Sequence, residues 1–95
     1  MFIVLLTFSD NKAQAGQYMS AHKEWLNHGF DEGIFILAGS ITPAKGGGIL
    51  AHNISLSDLE DKVKLDPFVS SNVVNAEIIE ISPSITDPRL DFLRS

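Results

Sequence analysis

Apolar positions along this chain change period twice, and the changes mark the elements. Phe2 to Phe8 is nearly unbroken in apolar residues: Phe2, Val4, Leu6 and Phe8 alternate to one face, Ile3 and Leu5 to the other. Such a run predicts a first strand covered on both sides. From Tyr18 the spacing becomes helical. Tyr18, Met19, His22, Trp25, Leu26, Gly29 and Phe30 fall on one face at about 100° per residue, opposite Ser20, Lys23, Glu24, Asn27 and Asp31. Ser9-Asp10-Asn11 is a turn and helix-start cluster, and Asn11 with Gln14 has capping-box spacing. The first helix is therefore expected from there to about Asp31, with Gly16 weakening its first turns and Gly33 as its stop.

Ile34 to Ile41 reads as a second strand, closed by Gly39-Ser40 and Pro43. Gly46-Gly47-Gly48 leads into a third, Ile49 to Ile54. The triplet opens a strand and no Lys-Ser/Thr pair follows it, so a flexible hairpin that lets backbone approach a ligand or partner fits better than a phosphate loop. Ser57-Asp58-Leu59-Glu60 is a capping box for a second helix with the stripe Leu56, Leu59, Val63 and Leu65. Asp66, before Pro67, is biased out of helical geometry; that helix should stop there, with Asp66 capping a short turn from Pro67 through Ser71. Val73 to Ile81 is the fourth strand, ended by Pro83, with Glu77 and Glu80 on opposite faces and one of them expected at an edge or pocket rim. The order β-α-β-β-α-β predicts an α+β, ferredoxin-like domain over residues 1–83: a four-stranded antiparallel sheet with two helices on one face. The two-sided apolar first strand then implies a second copy on the open sheet face, a homodimer of the dimeric α+β barrel type. In the tail, residues 84–95, Leu90, Phe92 and Leu93 are expected to dock.

Composition narrows the partners. The net charge of -5, without a Lys/Arg cluster, disfavours nucleic acid and anionic membranes. The apolar N-terminus lacks a basic flank and is too short to span a bilayer, so a cytoplasmic location is expected. The absence of cysteine removes disulfides, thiolate catalysis and Cys-ligated metals. His22, His28 and His52 are the three histidines. Their spacing matches no metal motif, so no metal or cofactor is expected, and His28 and His52 read as surface or edge residues. No Gly-x-Ser-x-Gly elbow is present either, and Ser40 after Gly39 is only a polar pocket candidate.

His22 is the exception, because a histidine in an apolar stripe needs a partner. Asp66 is the best candidate. A carboxylate on one ring nitrogen fixes the tautomer and frees the other nitrogen for proton transfer, and Trp25 and Phe68 are near enough in sequence to wall a pocket. The plainer alternative is a satisfied core histidine with Asp66 as a helix cap, and the residue pattern taken alone favours it.

Phe2-Ile3-Val4-Leu5-Leu6, His22-x-x-Trp25-Leu26, Leu37-Ala38-Gly39, Gly47-Gly48-Ile49-Leu50-Ala51 and Asp66-Pro67-Phe68-Val69, in that order and spacing, resemble the YCII-related (YciI-like) family, up to about Ile81. The resemblance implies a ferredoxin-like domain forming dimers, with a site centred on a histidine and an aspartate, here His22 and Asp66. Some members are dehydrochlorinases of chlorinated hydroquinones; most have no assigned reaction. One departure is Ser40, where a proline often follows the glycine, so the pocket's polarity is expected to differ. The expectation is a small cofactor-free enzyme: His22 shuttles a proton, Asp66 orients it, and the reaction is elimination or isomerisation of a small aromatic or enolisable compound. Trp25, Gly39, Ser40 and Phe68 would contact that substrate. The alternative is a non-catalytic dimer that binds a small metabolite.

Overall fold

The computed structural model describes residues 1–94; Ser95, the last residue of the expected tail, lies outside them. The strands are β1 (Phe2–Phe8), β2 (Phe35–Ile41), β3 (Gly46–Ala51) and β4 (Val74–Glu80). The helices are α1 (Ala15–Asp31), α2 (Leu56–Lys64) and the short α3 (Pro67–Ser70). The sheet order is β2-β3-β1-β4, and every neighbouring pair is antiparallel. This is the ferredoxin-like α+β arrangement that the element order predicts.

The inner sheet face holds the core. Phe2, Val4 and Leu6 of β1, Phe35 of β2, Ile49 and Ala51 of β3 and Val74 of β4 are buried, and Trp25, Leu59, Val63 and Phe68 cover them from the helices. Ile3 and Leu5 on the outer face are only half-buried. The two-sided pattern of β1 therefore corresponds to one sealed face and one partly open one.

Local differences from the sequence reading have local causes. Asn11 caps nothing with its side chain: a 3₁₀ turn, Lys12–Gln14, precedes α1, and Asn11 Nδ2 instead donates to the Ser71 carbonyl at 2.9 Å. Helix α2 is capped by Ser55, whose hydroxyl accepts from the Asp58 backbone N–H at 3.1 Å, so the Ser57 box lies one half-turn inside the helix. Strand β3 runs over the glycine triplet and stops at Ala51, because Leu5, Leu6 and Thr7 of β1 continue the ladder opposite Gly48, Gly47 and Gly46. Gly46 sits at φ 132, and a Cβ there would lie 1.8 Å from the Leu6 carbonyl oxygen. Glu77 and Glu80 do face opposite ways, opposite Leu5 and Phe2 respectively. In the tail, Leu93 is buried, Phe92 stands edge-on to His52 at 5.4 Å, and Leu90 stays largely exposed.

Helix α1 ends in a Schellman motif: the Gly33 N–H donates to the Phe30 carbonyl and the Ile34 N–H to the Gly29 carbonyl, each at 3.0 Å, with Gly33 at φ 74. That turn swings Phe35 back against Gly29, where a Cβ would lie 2.1 Å from Phe35 Cδ2. Gly29→Ala gains helix propensity of up to about 1 kcal/mol but overpacks a buried ring at about 1–3 kcal/mol. A net loss is expected, read as a lower denaturation midpoint; an unchanged or raised midpoint would show that Phe35 yields freely.

The same end of α1 carries an ion pair, Lys62 Nζ to Glu32 Oε1 at 2.6 Å. The Lys62 hydrogen bond, then its charge, holds the Glu32 carboxyl below the ordinary carboxylate range. A carboxyl pKa lowered by folding adds stability above the unfolded value, near 4.5, and that stability disappears as pH falls through the folded value. The melting difference between the native chain and Glu32→Gln should be small at neutral pH and vanish in acid; a difference that grows on acidification would contradict this.

Candidate active site

Helix α1 presents two adjoining faces. Trp25 points into the core, and both it and Gly29 are buried. Met19, His22, Lys23 and Leu26, spaced i, i+3, i+4 and i+7, line a pocket. His22 lies on the seam between the two faces, half-buried with a side chain 12% exposed. This adds to the single stripe expected from the sequence: Lys23 is exposed, as expected, and also lines the rim of the pocket.

Asp66 is positioned by its own local sequence. Leu65 ends α2, Pro67 forces the preceding residue into an extended conformation, and Asp66 sits at φ -62, ψ 123 as the cap of α3. Its Oδ1 accepts the Phe68 backbone N–H at 3.0 Å and takes the His22 Nδ1 contact at 2.8 Å. The Asp66 side chain is fully buried, and its Oδ2 has no hydrogen-bond partner among the described residues. The expected meeting of the two residues, 44 positions apart in the chain, is therefore present in the fold.

An ionised carboxylate only accepts, so with Asp66 ionised the 2.8 Å contact requires a proton on Nδ1. Nε2 makes no hydrogen bond among the described residues and is not sealed from solvent. The ring is held flat against Phe68, with centroids 4.0 Å apart and planes 6° apart. A carboxylate at one nitrogen, a stacked ring on one face and a second nitrogen with no partner among the described residues form an arrangement that can take a proton and return it.

The pocket has a volume of about 270 Å³. Its floor is the inner sheet face, where Leu6, Ala38, Ser40 and Ile49 surround Gly47. Gly47 is paired with Leu6 and Ser40 and adds no side chain to that floor. Gly39 also lines the pocket, and Phe68 closes it beside His22. Trp25 does not line it. Its ring lies 6.0 Å from His22, edge-on to Phe35 at 5.2 Å, and its Nε1 donates to the Lys62 carbonyl at 3.0 Å, so it braces the helix from behind.

A second groove, about 480 Å³, runs between α2 and β4 and contains none of these site residues. Its charges, Glu60 and Lys64, are four apart on α2 and of opposite sign. His28 is exposed late on α1, and His52 lies beyond β3 beside Phe92. Among the described residues no three His, Asp or Glu side chains gather as a metal site requires. No helix among them is long and apolar enough to cross a membrane.

No protein-family model matches the chain, and no curated protein matches it by sequence. Its fold is similar to that of 5-chloro-2-hydroxyhydroquinone dehydrochlorinase (TftG) from Burkholderia phenoliruptrix AC1100, solved in complex with 2,5-dihydroxybenzoquinone. The TM-score is 0.70 over 88% of this chain and 96% of that one, at 11% sequence identity. At that identity the likeness establishes the fold, and the chemistry has to be argued from the residues.

Proposed function

We propose that this chain is a small acid–base enzyme of the YCII-related type, with His22 as the proton-transferring group and Asp66 as the carboxylate that orients it. The observation that carries the reading is the 2.8 Å contact between His22 Nδ1 and Asp66 Oδ1, on a histidine that lines a largely apolar pocket. In this reading Nε2 removes a proton from a bound aromatic or enolisable compound. The released electron pair forms a new double bond. In an elimination a leaving group such as chloride departs with its bonding pair, so the net change is loss of H–X without oxidation or reduction. In an isomerisation the imidazolium returns the proton to a different atom. Ionised Asp66 stabilises the imidazolium between the two steps. The fold likeness to a dehydrochlorinase supports elimination as the first reaction to test. Phe68 and Ser40 would contact the ring and its oxygen substituents, Gly39 would contribute backbone, and Trp25 would act by bracing α1.

The direct assay follows chloride release from 5-chloro-2-hydroxyhydroquinone, together with incorporation of solvent deuterium into enolisable ring compounds. Catalysis of either one above the buffer rate is expected. Tight ring binding with neither reaction would leave a metabolite-binding module in place of an enzyme.

The same reading includes a homodimer through the outer sheet face. On that face Leu37 and Ile79 are 53% and 38% exposed, beside half-buried Ile3, Leu5 and Leu50. Sedimentation at micromolar concentration should show twice the monomer mass, and a monodisperse monomer would contradict the pairing.

A further inference from the structure

The charge in the pocket runs against the charge of the chain. The sequence has 12 Asp and Glu against 7 Lys and Arg. None of those acids lines the pocket; its titratable groups are His22 and Lys23. Lys23 is also uncommitted. Its neighbours three and four residues away on α1, Met19, Ser20, Leu26 and Asn27, carry no charge, and Lys23 makes no ion pair among the described residues. Asp66, the nearest acid to the site in function, is occupied by His22 and the Phe68 N–H.

The remaining lining sets the shape of the ligand. Leu6, Leu26, Ile49 and Phe68 are apolar, Ser40 offers one hydroxyl, and Gly47 leaves the floor flat. A volume of about 270 Å³ lies just below the range of roughly 300–1,000 Å³ that holds drug-sized ligands, which is room for a single ring with its substituents. We infer that Lys23 is a specificity residue that selects a small, planar, singly ring-sized anion, pairing its ammonium with the ligand's charged oxygen while the ring lies between Phe68 and the glycine floor. This deepens the reading above, since it takes the His22 pocket to be the ligand site. It adds that the ligand enters as the anion.

Lys23 lies on the exposed side of a long helix, so Lys23→Gln and Lys23→Arg should both fold, with unchanged circular dichroism as the control. The probes are benzoate and its neutral, near-isosteric amide, benzamide, titrated calorimetrically. The native chain should prefer benzoate. Lys23→Gln should weaken benzoate about fivefold, an ordinary effect for a partly solvated ion pair, and leave benzamide unchanged. Lys23→Arg should keep the preference, and added salt should weaken benzoate alone. Equal affinity of the native chain for the two probes, binding of neither, or undiminished benzoate binding by Lys23→Gln would each overturn the inference. None of these readouts involves turnover. A failure of the acid–base reading would appear as absent proton transfer with the Lys23 dependence of benzoate binding intact.

Discussion

Asp66→Ala should lower the stability of the chain by about 2–4 kcal/mol, the largest single-residue effect expected outside the hydrophobic core. Alanine would remove the acceptor for the Phe68 N–H at a helix cap, a loss of about 1 kcal/mol in ordinary settings. It would also leave the His22 Nδ1–H without a partner, at about 1–3 kcal/mol for a donor that is largely buried. Asp66→Asn separates shape from charge. Its amide oxygen can still accept both hydrogen bonds, so most of the stability should remain, while the charge that steadies an imidazolium is gone. Chemical denaturation of the two variants checks the pair: a similar loss for both would place the stabilisation in the charge, and no loss for either would remove the cap from the account.

His22→Gln should lower the rate of proton transfer by on the order of 10²–10⁴-fold, the usual contribution of a positioned acid–base group. Glutamine is the better replacement because its amide N–H can donate to Asp66, whereas alanine would strand a buried carboxylate. The effect should fall on kcat, with KM changed little, because the ring binds largely against Phe68, Leu26 and the glycine floor. A kcat within about twofold of the native value would assign the proton transfer to another group.

The two central residues were legible because each carries a local signal. His22 interrupts an apolar stripe, and Asp66 is fixed in place by the proline after it. Their meeting was legible only as the pairing of two unmet needs, a ring without a partner and a carboxylate without a salt bridge. The seam on α1 was harder to read. Met19, His22, Lys23 and Leu26 have helical spacing of their own, but the stripe through Trp25 and Gly29 overlaps it. Lys23 reads as solvent-facing and is exposed; that it also lines the pocket depends on sheet residues remote from it in sequence. Trp25 drew attention through its nearness to His22 in sequence, and the two rings do lie 6.0 Å apart, but Trp25 is buried in the core and does not line the pocket. Gly46 to Gly48 suggested a loop because glycine has low strand propensity. Pairing with both β1 and β2 overrides propensity there, and no sequence window contains both partners. The cap of α2 shifted from Ser57 to Ser55 for a simpler reason: two serines two residues apart both satisfy the capping pattern, and the chain's entry from β3 selects the first.

The central claim is that His22 is held by Asp66 at Nδ1 and offers Nε2 to the pocket. Heteronuclear NMR of the His22 side chain, in the neutral state of the ring, reads this directly, because the two imidazole nitrogens give distinct signals according to which one bears the proton. The account predicts the proton on Nδ1 and a lone pair on Nε2; a proton on Nε2 would contradict it.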